Sequence, residues 1–210
     1  MNDTKISYAV TVCNEFVEIQ RLIDFLLKNK RSQDEIVVLF DSKNGDTNIE
    51  RYLRTHSVNN EFQWHASEFE NHFADWKNRL TSLCSGDMIF QIDADEMITT
   101  ALINVLPEIF ATNPGVDMYL VPRINTVSGL TEAHIQKWGW NVNSKGYVNF
   151  PDYQSRIYRN NQVIQWINKV HEKLEKFDMY SALPTIEDFC IIHEKTIERQ
   201  EKQNSYYDSI

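Results

Sequence analysis

Positive charge is scarce in this chain: 21 lysines and arginines stand against 30 aspartates and glutamates, a formal net charge of −9. Nucleic-acid binding draws most of its affinity from a field of basic residues over phosphates, so that class of partner is excluded. Cysteine is scarce too. The three, Cys13, Cys84 and Cys190, are odd in number and lie far apart within apolar segments. That excludes a disulfide framework or a zinc ribbon and predicts small buried thiols in a reducing compartment. The longest apolar runs reach about 5 or 6 residues, far short of the ~20 that a membrane-spanning helix needs. No transmembrane segment is expected. The opening residues, Met1-Asn2-Asp3-Thr4-Lys5, lead straight into a strand-like run and lack the apolar stretch and cleavage site of a secretory signal; the expected location is cytoplasmic. Low-complexity linkers and internal repeats are missing as well. What is there, 42% hydrophobic and 12% aromatic residues over 210 positions, predicts one packed domain spanning 1–210.

The pattern along the chain alternates between strands and helices. Residues 6 to 13 are rich in β-branched and aromatic types, and Asn14 with Glu15 offers a helix N-cap and an acidic first turn. Ile19, Leu22, Ile23, Leu26 and Leu27 then recur at the spacing of one buried helical face. Ile36 to Phe40 is continuously apolar, as a strand covered on both sides must be, and stops at Asp41. A turn at Ser42 to Asp46, a short helix through Leu53, a brief strand near Glu61 to His65 and a helix over 72–84 come next. Met88 to Ile92 reads as another buried strand. A helix with Leu102, Val105, Leu106, Ile109 and Phe110 in phase contains Pro107, which is expected to kink or split it. The strand Asp117 to Val121 completes the series, and the expected fold class is α/β, a three-layer sandwich with a mostly parallel central sheet. From about Asn125 to Phe150 the periodicity fades into what reads as a long irregular loop. A strand at Gln154 to Arg159, a helix or turn at Ile167 to Leu174, a strand at Phe189 to Ile192 and a charged helix from Thr196 finish the chain.

Asp93-Ala94-Asp95-Glu96 follows directly on Met88-Ile89-Phe90-Gln91-Ile92, so a buried strand ends by presenting several carboxylates to one small volume. On an extended chain Asp93 and Asp95 face the same way, and two like charges so placed repel unless something positive sits between them. Hard oxygen ligands suit Mg²⁺ or Mn²⁺, ions that keep positions open for substrate phosphates. In an acidic chain such an ion also supplies the local positive charge that a phosphate ester needs.

The order Val10-Thr11-Val12-Cys13-Asn14-Glu15, then Asp41 after the second strand, then Trp76-Lys77-Asn78-Arg79 on a helix ahead of Asp93-Ala94-Asp95, resembles family 2 glycosyltransferases of the GT-A fold over about residues 6 to 97. Tyr153 to Arg159, Val170-His171-Glu172-Lys173-Leu174 and Ile192-His193 are similar to segments of the subgroup that includes lipopolysaccharide-core glucosyltransferases. The usual Asp-x-Gly-Ser-x-Asp appears here as Asp41-Ser42-Lys43-Asn44-Gly45-Asp46, which keeps both aspartates. The resemblance implies a GT-A (Rossmann-like) fold and a metal-dependent inverting transfer from a nucleotide-diphosphate sugar, UDP-linked, to a glycan acceptor, with Mn²⁺ or Mg²⁺ as cofactor. About 1–97 would be the nucleotide-binding half and about 98–210 the acceptor-binding half. Thr11, Cys13 and Glu15 would border the nucleoside, Asp41 would accept from the base, and Lys77 would lie near the diphosphate. Asp93 and Ala94 would contact the ribose or metal-bound water, Asp95 would ligate the ion, and His193 would return as a further ligand. Glu172 would be the general base.

Several positions carry two readings. Asp152 competes with Glu172 for the base, since both lie where the acceptor is expected. Arg156 and Arg159 either pair with nearby acids or help hold phosphate, and His171 is expected to orient Glu172. Trp138 and Trp140 are either core or a platform for an acceptor sugar. The charges from Glu198 to Gln203 read as one solvated helix face. A nucleotidyltransferase is disfavoured because Val12 to Phe16 contains no glycine. The remaining alternative is a non-catalytic nucleotide-sugar or glycan-binding domain of a larger polysaccharide-assembly protein.

Overall fold

The computed structural model describes residues 4–59 and 61–207. In chain order they form β1 (Ile6–Val12), α1 (Phe16–Asn29), β2 (Glu35–Asp41), α2 (Thr47–His56), β3 (Gln63–Ser67), α3 (Phe73–Leu83), β4 (Met88–Asp93), β5 (Glu96–Met97), α4 (Thr100–Thr112), β6 (Met118–Ser128), α5 (Glu132–Trp138), β7 (Val148–Arg159), β8 (Gln165–Ile167), β9 (Lys173–Glu175), β10 (Tyr180–Ala182), β11 (Ile191–Thr196) and α6 (Ile197–Tyr207). The main sheet has the order β3-β2-β1-β4-β7-β6-β11-β5, with β10 also on β6. β3, β2, β1 and β4 run parallel, as do β6, β10 and β11 among themselves, and only β7 and β5 oppose their neighbours.

Alternation along the strands decides which helix covers which face. Tyr8, Val10, Ile36, Val38 and Phe40 pack with Ile19, Leu22, Ile23 and Leu26 of α1 and with α2 and α4. Ala9, Val37 and Leu39, one residue out of phase, pack against Ala74, Trp76 and Leu80 of α3. Each fully buried aliphatic side chain of this kind contributes about 1.5–3 kcal/mol. The result is the expected α/β three-layer sandwich with a mostly parallel sheet. Thr11 pairs with Leu39 on one side and Asp93 on the other, so β1, β2 and β4 end level. Among the described residues no helix is long and apolar enough to cross a membrane.

Five local expectations are corrected or narrowed. Residues 125–150 are not one long loop: β6 runs on through Ser128, and α5 follows behind a capping box of Thr131 and His134 before Gly139 ends it in a left-handed conformation (φ 64°), which leaves 139–147 as the irregular stretch. Histidine in the place of the customary Glu or Gln hides that box from a pattern search. Of the helix or turn expected at 167–174, the turn is what forms: 168–172 joins β8 to β9 in an antiparallel ribbon, because Asn168 and His171 take left-handed backbones (φ 75° and 54°) that reverse the chain. Pro107 does not split α4, whose buried Leu102, Ile103, Leu106 and Phe110 hold both sides of the proline to the sheet. The cap of α1 is Glu15 rather than Asn14. Of the cysteines only Cys190 is buried, while Cys13 and Cys84 are half-buried.

Candidate functional site at the carboxyl edge of the sheet

Where parallel strands end level, their terminal backbone and side chains face a crevice. Here that crevice is a cavity of about 1040 Å³, and Thr11, Cys13, Glu15, Asp41, Lys77, Asp93, Ala94, Asp95, Arg156, Glu172 and His193 all line it. Asp152 is not among its lining residues.

The β1 rim is organised by carboxylates that bind main chain. Glu15 Oε2 accepts from the amides of Cys13 (2.9 Å) and Asn14 (3.0 Å), fixing the loop between β1 and α1. Asp41 Oδ1 accepts from the amides of Lys43 (3.0 Å), Asn44 (3.3 Å) and Phe69 (3.2 Å), and Oδ2 from the Asn44 side chain (2.9 Å). Asp41 therefore shapes the 41–46 turn as well as facing the cavity. Gly45 lies so close to Phe40 and the Asp41 carbonyl, 2.2 Å from an added Cβ, that no side chain fits there. Burial, with Asp41 and Glu15 alongside, pushes the Cys13 thiol up to about 12, so it remains protonated.

Asp93 and Asp95 turn to different partners. The strand stops at Asp93 and the chain turns at Ala94 and Asp95, so the two-residue alternation no longer applies. Asp93 Oδ2 accepts from Arg156 Nη2 at 2.7 Å, and its Oδ1 from Thr11 Oγ1 at 3.2 Å. Burial opposes the Asp93 charge, but the Arg156 guanidinium, with Lys77 and Arg123 behind it, holds the carboxyl well below the usual carboxylate range. Asp95 Oδ2 instead meets His193 Nε2 at 3.2 Å and Arg199 Nη2 at 3.3 Å. Burial again opposes its charge and the His193 contact outweighs it, lowering the Asp95 pKa. Among the described residues no group of three or more His, Cys, Asp or Glu side chains is gathered to hold a metal. Asp95 and His193 nevertheless form a two-residue donor set, which suits an ion completed by substrate phosphates and water.

Arg156 is almost wholly buried and binds both Asp93 and Glu96 Oε1 (2.6 Å), while its Nε and Nη1 have no partner among the described residues. Glu96, fully buried, also accepts from Arg123 Nη1 at 2.9 Å. Asp152 closes this network from outside the cavity. Its Oδ2 accepts from Arg123 Nε (2.9 Å) and Nη2 (2.7 Å) and from Asn125 Nδ2 (2.9 Å), and its Oδ1 from Gln154 (2.7 Å). Burial is offset by Arg123, leaving the Asp152 carboxyl below its ordinary range.

On the opposite side, Lys77 donates to Glu172 Oε1 and lies over the Trp166 ring, 4.4 Å from its centroid. Thus the β8–β9 ribbon, with Glu172 at its turn, is tied to α3. The last helix, α6, keeps Glu198, Glu201 and Lys202 on a solvated face as expected, but its other side turns inward. Arg199 reaches Glu18 (2.9 Å), Glu15 (3.2 Å) and Asp95, and Gln200 and Gln203 line the cavity. Of the tryptophan pair, Trp140 lines the cavity; Trp138 sits 4.7 Å from it and stacks on His134.

Arg123, Asn125 and Arg199 escaped the reading of the sequence. Glu96 was visible as the third carboxylate of the 93–96 run, but its burial comes from β5 pairing with β11, a contact between residues 96 and 193. Nothing local marks the other three.

The sequence matches no protein-family model and no curated protein. Solved structures of S. aureus TarS 1-349 share the fold, with TM-scores of 0.60 for TarS 1-349, 0.61 for its complex with UDP and 0.59 for its complex with UDP-GlcNAc, at 14%, 14% and 15% identity. They cover 90%, 90% and 91% of this chain, which spans only 60%, 60% and 58% of theirs.

Proposed function

We propose that the cavity binds a nucleotide-diphosphate sugar, UDP-linked, with Mn²⁺ or Mg²⁺, and transfers its hexosyl or deoxyhexosyl group to a hydroxyl of a glycan, inverting the anomeric centre. The observation that carries this reading is that a two-residue donor set, Asp95 and His193, and a further carboxylate, Glu172, held by Lys77, face one cavity over the ends of β1, β2 and β4. The fold is also shared with a protein solved with UDP and with UDP-GlcNAc.

Thr11, Cys13, Glu15 and Asp41 form the nucleoside wall, and Asp93 with Ala94 lies beside the ribose. Asp95 and His193 hold the ion. When bound, that ion neutralises charge gathering on the departing diphosphate. Arg156 and Lys77, which both line the cavity, add positive charge to it. Glu172 takes the proton from the acceptor hydroxyl as the new glycosidic bond forms and the bond to the diphosphate oxygen breaks. Asp152 is the weaker candidate base, because four hydrogen bonds already occupy its oxygens. The first half of the chain binds the nucleotide and the second half the acceptor, with His193 and Arg156 lent back across the cavity. Trp140 offers a ring face to the acceptor sugar. Kinship with the lipopolysaccharide-core glucosyltransferase-like subgroup, a cytoplasmic setting and membership of a larger multidomain enzyme belong to the same proposal.

One observation favours a binding module without turnover: Lys77 engages the carboxylate assigned as base. Incubating the protein with UDP-sugars, with and without Mn²⁺, separates the two. Slow Mn²⁺-dependent release of UDP that Glu172→Gln abolishes supports the transferase, and tight UDP-sugar binding with no release supports the module.

A further inference from the structure

We propose that Asn44 is the residue that reads the nucleobase, its side-chain oxygen accepting the N3–H of uracil. This deepens the reading of the cavity as a UDP site and rests on it. Asp41, the acceptor that the sequence points to, has no capacity left for a base. A carboxylate offers about four lone-pair sites. Oδ1 of Asp41 already takes the amides of Lys43, Asn44 and Phe69, and Oδ2 takes Asn44 Nδ2 at 2.9 Å with the Cys13 thiol 3.7 Å away. Those donors fill it. A side-chain amide donates at one end and accepts at the other, so the bond to Asp41 also settles which way Asn44 points. Its Oδ1 is turned away from the carboxylate and accepts from none of the described residues. Asn44 is exposed and lines the cavity.

The 41–46 turn holds this amide in place. Asp46 N donates to the Cys13 carbonyl at 2.9 Å and Ser42 N to the Ser67 carbonyl at 2.9 Å, which ties the turn to the ends of β1 and β3. Gly45, pressed against Phe40, leaves the turn no room to slide. Phe69, whose amide Asp41 also holds, lines the same cavity and brings an aromatic ring for a base to stack on. Glu15 and Asp41 make this wall negative, which suits a neutral base and repels a diphosphate. Uracil presents one ring N–H between two carbonyls, and a site whose acceptor is fixed toward that N–H rejects a base that lacks it. In the pattern Asp-x-Gly-Ser-x-Asp this position is serine, which has no amide, so the assignment is particular to this chain.

The test is isothermal titration calorimetry, with Mn²⁺ present, of three nucleotides: UDP, 3-methyluridine diphosphate, whose methyl group replaces the N3 hydrogen, and CDP, whose N3 is an acceptor. Wild type is expected to bind UDP about 10- to 100-fold more tightly than either of the others. Because Asn44 is exposed, Asn44→Ala is expected to fold and to keep its melting temperature within about 4 °C. That variant is expected to bind UDP as weakly as wild type binds the methylated nucleotide, with the preference gone. If Asn44→Ala weakens all three nucleotides alike and keeps the preference, it has only loosened the turn, and the proposal is overturned. A wild type that binds UDP and 3-methyluridine diphosphate with equal affinity overturns it too. In both of those cases UDP still binds, so the nucleotide reading of the cavity stands. A wild type that takes up none of the three ends that reading and this proposal together.

Discussion

The two rims of the cavity are held in different ways. On the rim from β1 and β2, Glu15 and Asp41 bind main-chain amides of their own loops, so each position is set within a few residues of itself or by one neighbouring strand. On the rim from β5, β6, β7 and β11, Glu96, Arg123, Asp152 and Arg156 hold one another through side chains brought together across the sheet. A rim built from local backbone contacts yields piecemeal, whereas a buried network of charges fails as a unit, because removing one member leaves the others uncompensated in a low dielectric.

The largest expected effect comes where the rims face each other. Glu172→Gln is expected to lower kcat about 10²- to 10⁴-fold and leave donor affinity nearly unchanged; weakened donor binding with turnover intact contradicts its role as base. Within the charged rim, Arg156→Met strands Glu96 and Asp93 and is expected to cost about 3–5 kcal/mol in urea unfolding. Asp41→Asn on the other rim keeps its oxygen acceptor and is expected to cost much less, about 1 kcal/mol. Equal losses erase the distinction between the rims.

Acid separates them less strongly. Asp93, Asp95 and Asp152 all have folded pKa values below the ordinary value. The stability they confer is therefore complete above the unfolded aspartate value of about 3.9 and is lost as pH falls through their folded values. Wild type is expected to hold its melting temperature from neutrality to about pH 5 on their account and to lose it below about pH 4, and Asp152→Asn is expected to show a shallower acid loss. An identical acid profile for that variant argues against the charged rim as the acid-sensitive element. The smallest effect is expected at Arg199→Ala, whose partners Glu15, Glu18 and Asp95 are all partly open to solvent: under about 1 kcal/mol by thermal unfolding.

The same division explains what the sequence disclosed. Strand and helix periods are local, so β1, α1, β2, α3 and β4 were legible, and with them the strand-end positions Thr11, Asp41 and Asp93. The second half was not, because its devices are either non-local or disguised. Arg123 and Asp152 are joined by β6–β7 pairing across a segment that reads as a loop, α5 is capped by a histidine, and Asn168 and His171 reverse the chain through left-handed backbones. Asp95 and His193 could be paired only by likeness to a family, since β5 and β11 lie far apart in the chain. That Asp93 and Asp95 do not face the same way was hidden for a different reason: the chain turns at Ala94 and Asp95, and Arg156 reaches Asp93 from β7.

The central claim is that Asp95 and His193 make nucleotide binding depend on a divalent ion. Isothermal titration calorimetry of UDP into the purified chain, with Mn²⁺ and with chelator, tests it most directly. Uptake in wild type that requires Mn²⁺ and vanishes in Asp95→Ala and His193→Ala is the expected result; UDP binding of equal strength with chelator, or no binding under either condition, contradicts it.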